Sequence, residues 1–320
     1  MPATSKFFFE TLIPVFFVLA MGYYAGRRKR VDNRNTHALT TTLMHFALPC
    51  SLFLGVARTP PAVLRSQSPL LGVLGLAMIA TYSLVFFISR RLFKTSVSRA
   101  AVQSLTVSFA NNVAVGLPLL ASLYGATGLL AVAAGIIAGA LIVSPITLVL
   151  LECHAAQQEE TAPSIRERLG PAILASARRP IVLAPLFALL VPICGVVLPP
   201  PVVASLDLIG KCTVGLALFL TGLILSAQRI RLTGEVAVGL LLKNVGQPVL
   251  VALFLILFRM HGQIAAEAFL LAAVPAGFFG TVFSARYGVE SIEASSTLLL
   301  STVFSIVTLP IAIFFAGRFL

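Results

Sequence analysis

Two apolar stretches of this sequence are broken by residues suited to holding a polar ligand. Between Phe109 and Leu119 the break carries Asn111, Asn112, Gly116 and Pro118. In the second half the run AlaAlaValProAlaGlyPhePheGly, residues 272–280, brings Pro275, Ala276, Gly277 and Gly280 to the corresponding place. A helix interrupted by Gly and Pro frees backbone N–H and C=O groups that are costly in hydrocarbon unless something binds them. The N-terminal end of a half-helix carries partial positive charge and unpaired donors, which suit a carboxylate. Asn111 and Asn112 add donors and acceptors at the first break. One such proline alone reads as an ordinary kink. Two in matching positions, beside two Asn and several Gly, read as a binding site.

Lys243 is the second signal. If its apolar segment begins near Glu235, eight residues at a rise of ~1.5 Å put it about 12 Å deep, near the middle of a ~30 Å hydrocarbon layer. An ammonium there needs a partner or an aqueous cavity. Two readings stay open: it attracts an anionic substrate or carries a proton, or it donates to the free carbonyls of a broken helix in place of a counter-ion. Gln247 lies one turn further on the same face and joins the candidate site. Asp207 and Lys211 have the spacing of a local interfacial pair. His45, one turn before Pro49, reads as a packing histidine.

The elements that must position these residues follow from composition. Of the 320 residues 58% are hydrophobic and 11% charged, and mean hydropathy is +1.00, far above a soluble domain. The chain is an integral membrane protein. Apolar segments fall near 7–25, 39–56, 70–89, 101–124, 129–151, 180–198, 203–226, 236–258, 266–286 and 294–316. This predicts an all-α protein of ten transmembrane helices. The stretch 7–25 follows a single Lys6 and runs into ArgArgLysArg at 27–30, so it reads as a retained span rather than a signal peptide. The longest polar interval, 152–179, separates two halves of five spans, 1–151 and 180–320.

The halves read as repeats. TyrGly at 124–125 matches TyrGly at 287–288 with an offset of 163, which sets Asn112 opposite Pro275. Because each half crosses an odd number of times, the second enters from the opposite side and the repeat is inverted. Sixteen Lys and Arg fall in the odd-numbered connections, Arg27 to Arg30 and Arg90, Arg91, Lys94 and Arg99 among them, against five on the other side. The odd connections, the 152–179 linker included, are therefore cytoplasmic and both termini lie outside the cytoplasm. The net charge of +12 is accounted for by this topology and by anionic lipid head groups, not by nucleic acid.

Several chemistries are excluded. Cys50, Cys153, Cys194 and Cys212 have neither CxxC nor Cys/His ligand spacing, so no metal site or disulfide framework is indicated and they read as small apolar fillers. There is no HisGluxxHis pair, GlyxGlyAsp motif, GlyxSerxGly elbow or P-loop, so neither an intramembrane enzyme nor a cofactor is indicated. The acids cluster in connections and at segment ends, which argues against a cation antiporter using intramembrane carboxylates. Sodium held by carbonyls and Asn oxygens stays open. A channel or membrane sensor is the rival class, but inverted halves with breaks near the midplane favour alternating access.

The order of motifs carries a resemblance. AsnAsnValAlaValGlyLeuProLeu at 111–119, ArgArgProIleValLeuAlaProLeu at 178–186, LeuAlaLeuPheLeuThrGlyLeu at 216–223, LysAsnValGlyGlnPro at 243–248 and AlaAlaValPro at 272–275 through AlaArgTyrGlyValGlu at 285–290 resemble the auxin efflux carrier family nearly end to end. The resemblance implies a five-plus-five inverted repeat with two broken, crossing helices, like sodium/proton antiporters or bile-acid transporters. It implies a transport domain that moves against a scaffold in a bacterial inner membrane, with a homodimer through the scaffold helices. It implies a permease for a small organic anion, malonate or an auxin-like weak acid among them, either facilitative or coupled to H+ or Na+. Family members often place Asn or Ser shortly after the second proline. Here Ala276 and Gly277 stand there, so side-chain contacts are expected mainly from Asn111 and Asn112.

Overall fold

In hydrocarbon every backbone polar group must be satisfied within its own segment, so long apolar runs without turn signals become helices. The computed structural model describes residues 2–33, 35–156, 178, 180–227, 230–289 and 291–319, and these form helices joined by short connections, with no strand among the described residues. Most of the 152–179 linker lies outside the described residues. Among the described residues six helices are long and apolar enough to cross a membrane: His37–Ala57, Ser68–Arg91, Thr127–Glu152, Pro200–Ala227, Gly234–Leu257 and Ile292–Ala316. The apolar helices Asn112–Gly125 and Gln263–Ala273 are shorter, because the expected breaks cut them.

Prolines shape these helices in a regular way. Among the described residues each of the four π-helical turns, Leu43–Ala47, Asn112–Gly116, Gly139–Val143 and Leu242–Gly246, ends two residues before a proline: Pro49, Pro118, Pro145 and Pro248. Proline offers no N–H to the carbonyl four residues back and its ring crowds that carbonyl; a widened turn relieves both. Three of the four turns carry the polar residues singled out from sequence, namely His45, Asn112 and Lys243. His45 is exposed on its turn, which corrects its reading as a packing residue. Cys194 and Cys212 are exposed as well.

The chain forms two compact units, and each draws on both sequence halves: 1–70, 112–136 and 180–228 in the first; 71–111, 137–179 and 229–320 in the second. In the first unit the Pro2–Arg27 and Cys212–Ala227 helices lie backbone to backbone. A Cβ on Gly22 would come within 2.0 Å of the Phe219 carbonyl oxygen, and one on Gly222 within 2.0 Å of that of Leu19. Small residues permit this approach, and dispersion between the surfaces rewards it. Asn33 closes the end of the pair by donating its Nδ2 to Ser226 Oγ at 2.8 Å. Asp207 pairs with Lys211 at 2.6 Å as their spacing predicts.

In the second unit the Val97–Ser108 helix is packed by the Ser144–Ala156, Phe279–Arg286 and Ile292–Ala316 helices. Every residue at 100–111 and 265–283 is buried. Helices covered on all sides sit at the centre of their unit. That lets Gln103, Ser104, Thr106 and Ser108 be buried with internal partners: Gln103 Nε2 donates to Thr297 Oγ1 at 2.9 Å, and the three hydroxyls donate to carbonyls one turn back. The glycines of the two TyrGly pairs both have positive φ, Gly125 at 60° and Gly288 at 64°. Both need the left-handed region that glycine enters without steric cost.

Candidate functional site

The second unit holds two helix ends whose positions follow from local chemistry. Ser96 starts the Val97–Ser108 helix by accepting the Arg99 N–H, as an N-cap does. The helix ends at Phe109, whose backbone is extended at φ −97° and ψ 102°. The Gln263–Ala273 helix ends at Val274, at φ −57° and ψ 137°, because the residue before a proline is driven from helical geometry. The two extended pieces pair antiparallel at Ala110 and Ala276. Asn111 N–H donates to the Pro275 carbonyl at 2.9 Å and Gly277 N–H to the Thr106 carbonyl at 3.1 Å. The Ala276 N–H donates to Ser301 Oγ at 2.9 Å.

Glycine is required where these pieces touch. A Cβ on Gly277 would stand 2.1 Å from the Phe109 carbonyl oxygen, and one on Gly280 would stand 1.9 Å from Thr106 Oγ1. Above them the rings of Phe109 and Phe279 stack at 4.7 Å and nearly parallel. The expectation that these breaks leave N–H groups free for a carboxylate is therefore corrected for Asn111, Ala276 and Gly277, whose N–H groups bond within the unit.

Lys243 is 0% exposed. It donates to Gln247 Oε1 and, at 3.2 Å, to the Ala272 carbonyl. Gln247 in turn donates its Nε2 to the Ser108 carbonyl at 2.7 Å. Among the described residues no carboxylate pairs with Lys243. Ser108 is the last residue of one half-helix and Ala272 the last but one of the other. The ammonium and the carboxamide thus serve the C-terminal, partially negative ends of both broken helices. The bond from Lys243 to the Ala272 carbonyl is the donation to a helix carbonyl that one of the two readings from sequence expects.

Asn244, beside Lys243, bonds in the opposite direction. Its Oδ1 accepts from Ser301 Oγ at 2.6 Å and its Nδ2 donates to the Ser301 carbonyl and to Thr308 Oγ1, each at 3.2 Å. Through Ser301 this chain of bonds reaches the Ala276 N–H.

Of the sequence-predicted residues, the second unit brings together Asn111, Lys243, Gln247, Pro275, Ala276, Gly277 and Gly280. Asn112, Gly116 and Pro118 belong to the first unit. Asn112 and Gly116 are buried on the π-turn, and Pro118 follows in the next helix with its side chain outside the described residues. Asn112 is 2% exposed, and among the described residues neither its Oδ1 nor its Nδ2 has a partner. Almost all buried polar atoms in proteins are bonded, so a buried carboxamide with neither atom bonded is unusual.

Sequence reasoning missed Ser301 and Asn244, although an Asn next to a buried Lys in an apolar segment was a usable signal. It missed the Ser108 and Ala272 carbonyls, for which side-chain type gives no signal. Glu267, near the start of the Gln263–Ala273 helix as expected of a segment-end acid, is nevertheless 0% exposed and accepts from Gln263 Nε2 at 2.8 Å.

A model of the family described as membrane transport protein matches residues 7–313. The chain belongs to that family. The auxin efflux carrier resemblance and this match agree, and several long apolar helices make the transporter a multi-pass membrane protein. It is similar to the protein named "Uncharacterized transporter YfdV" of Escherichia coli (strain K12), 25% identical over 311 residues, 96% of this chain and 97% of the relative. It is also similar to the "Putative malonate transporter" of Rhizobium meliloti (strain 1021), 27% identical over 310 residues, 93% and 92% of the two chains. The transporter's broken helices and the bonds that hold them are thus embedded in a chain that matches these relatives nearly end to end.

Proposed function

We propose that the protein carries a small organic anion, a mono- or dicarboxylate such as malonate or an auxin-like weak acid, across the bacterial cytoplasmic membrane by alternating access. The observation that carries this reading is Asn112: a wholly buried carboxamide with both polar atoms unpartnered, directly after Asn111 at a helix break. A carboxylate supplies acceptors for Nδ2, and a protonated acid or water supplies a donor for Oδ1. The relative named for malonate supports the anion class.

In this reading the chain crosses ten times as a five-plus-five inverted repeat, with both termini outside the cytoplasm. The positive φ shared by Gly125 and Gly288, at the matching TyrGly pairs, supports the repeat. The separation into two compact units supports an elevator-type motion in which one unit moves as a body. Within the first unit Asn112, Gly116 and Pro118 then offer contacts to the anion, and within the second Asn111 and the 275–280 crossing do so, with Lys243 and Gln247 fixing the crossing's shape. Uptake of labelled malonate, and of a panel of mono- and dicarboxylates, into proteoliposomes tests this. Saturable uptake of at least one, lost about tenfold or more in Asn112→Ala, is expected; no uptake of any carboxylate overturns the substrate class.

A further inference from the structure

The C-terminal end of a half-helix is where transporters of broken-helix architecture hold coupling cations, because unwound carbonyls and the negative dipole end suit them. In the second unit one such end meets Lys243 directly and the other reaches it through Gln247. The half-helices Val97–Ser108 and Gln263–Ala273 are three turns long, and each C-terminus carries roughly half a negative charge. The Ala272 carbonyl accepts from Lys243 Nζ, and the Ser108 carbonyl accepts from Gln247, whose Oε1 accepts from Lys243. Two ends at roughly −0.5 balance one ammonium. No carboxylate among the described residues shares that charge, and Lys243 is closed off from solvent.

We propose that Lys243 is a covalently tethered counter-ion occupying a monovalent-cation site, so that the protein holds its crossing together without sodium or potassium and does not couple transport to either through this position. Its removal leaves the Ala272 carbonyl and Gln247 Oε1 facing the vacated space, with the Ser108 carbonyl held beside them. Oxygen donors of this kind suit a hard, weakly charged cation and not a soft metal. The proposal rests on the transporter reading for its meaning, but it makes no use of the anion.

The test is thermal unfolding of purified, detergent-solubilised protein in sodium, potassium or N-methyl-D-glucamine chloride at equal ionic strength, with no organic anion added. The unaltered protein and Lys243→Arg are expected to melt at the same temperature in all three salts. Lys243→Ala and Lys243→Met, the latter keeping most of the stem volume, are expected to melt about 10 °C lower in N-methyl-D-glucamine and to recover saturably with sodium or potassium. A sodium-dependent rise in the melting temperature of the unaltered protein overturns the proposal. So do Ala and Met variants that melt like the unaltered protein without a small cation, or that no small cation restores. Because no substrate is present, these outcomes are independent of whether malonate is carried.

Discussion

Gln247 donates its Nε2 to the Ser108 carbonyl at 2.7 Å, across 139 residues of chain, while its Oε1 accepts from Lys243. One carboxamide thus ties the end of one broken helix to the ammonium that serves the other. Gln247→Leu keeps the volume and removes both bonds, leaving a buried carbonyl and a buried ammonium each short of a partner. The expected cost is about 3 kcal/mol, read as a lowered melting temperature in detergent. A change of less than about 0.5 kcal/mol would show that the crossing does not depend on this residue.

Ser301 is the acceptor for the Ala276 N–H and the donor to Asn244 Oδ1. Ser301→Ala leaves that N–H and that carboxamide oxygen buried without it, at an expected cost of about 1–3 kcal/mol. Ser301→Thr retains the hydroxyl and is expected to recover most of the loss. Equilibrium or thermal unfolding of the two variants checks the difference.

Asn112 should separate stability from activity. Replacing an unpartnered buried carboxamide with an isosteric apolar group is neutral or stabilising, so Asn112→Leu is expected to melt no lower than the unaltered protein. Its uptake of the carried anion should fall about tenfold or more, the equivalent of about 1.4 kcal/mol. Parallel melting and proteoliposome uptake measurements check both halves of the expectation. A variant that is strongly destabilised instead would mark Asn112 as a structural residue.

Gly280→Ala puts a Cβ 1.9 Å from Thr106 Oγ1 and 2.7 Å from the Val102 carbonyl oxygen. The hydroxyl can turn away but the backbone carbonyl cannot, so a loss of about 1–3 kcal/mol is expected. Gly72, whose Cβ would meet nothing within 4 Å, is the control. Gly72→Ala in its helix is expected to be neutral or stabilising by up to about 1 kcal/mol. Melting temperatures of both variants decide it.

The orientation has its own reporter. Cys194 is exposed and ends the segment at 180–198, on the side that the charge bias places outside the cytoplasm. In a chain whose other cysteines are changed to Ser, a membrane-impermeant maleimide is expected to label Cys194 in spheroplasts without lysis. A Cys194→Ser, Lys94→Cys variant should label only after lysis. The reverse pattern would invert the topology.

Much of the path to the site was legible because local chemistry dictates it. Pro275 bars Val274 from helical geometry wherever the segment lies, and the polar run at 111–112 marked the other interruption. The pairing of Lys243 with Gln247 was legible from their spacing on one face. Glu267 stands near a segment end as its position indicates, and only the folded structure shows that it is closed off. Ser301 carried no signal, since a Ser in an apolar helix most often bonds its own preceding turn.

The amino-acid sequence by itself determined that this chain is helical, that it crosses a membrane several times, and where its two central helices break. Those outcomes depend on hydropathy, backbone sterics and charge bias, which act over a turn or a segment. Tertiary structure alone decided that the donors and acceptors of the crossing bond chiefly to one another, that Lys243 answers the Ala272 carbonyl directly and the Ser108 carbonyl through Gln247, and that Asn112 is left with none. Backbone carbonyls look alike in every sequence, and which of them a buried ammonium meets is fixed only when segments more than a hundred residues apart pack together.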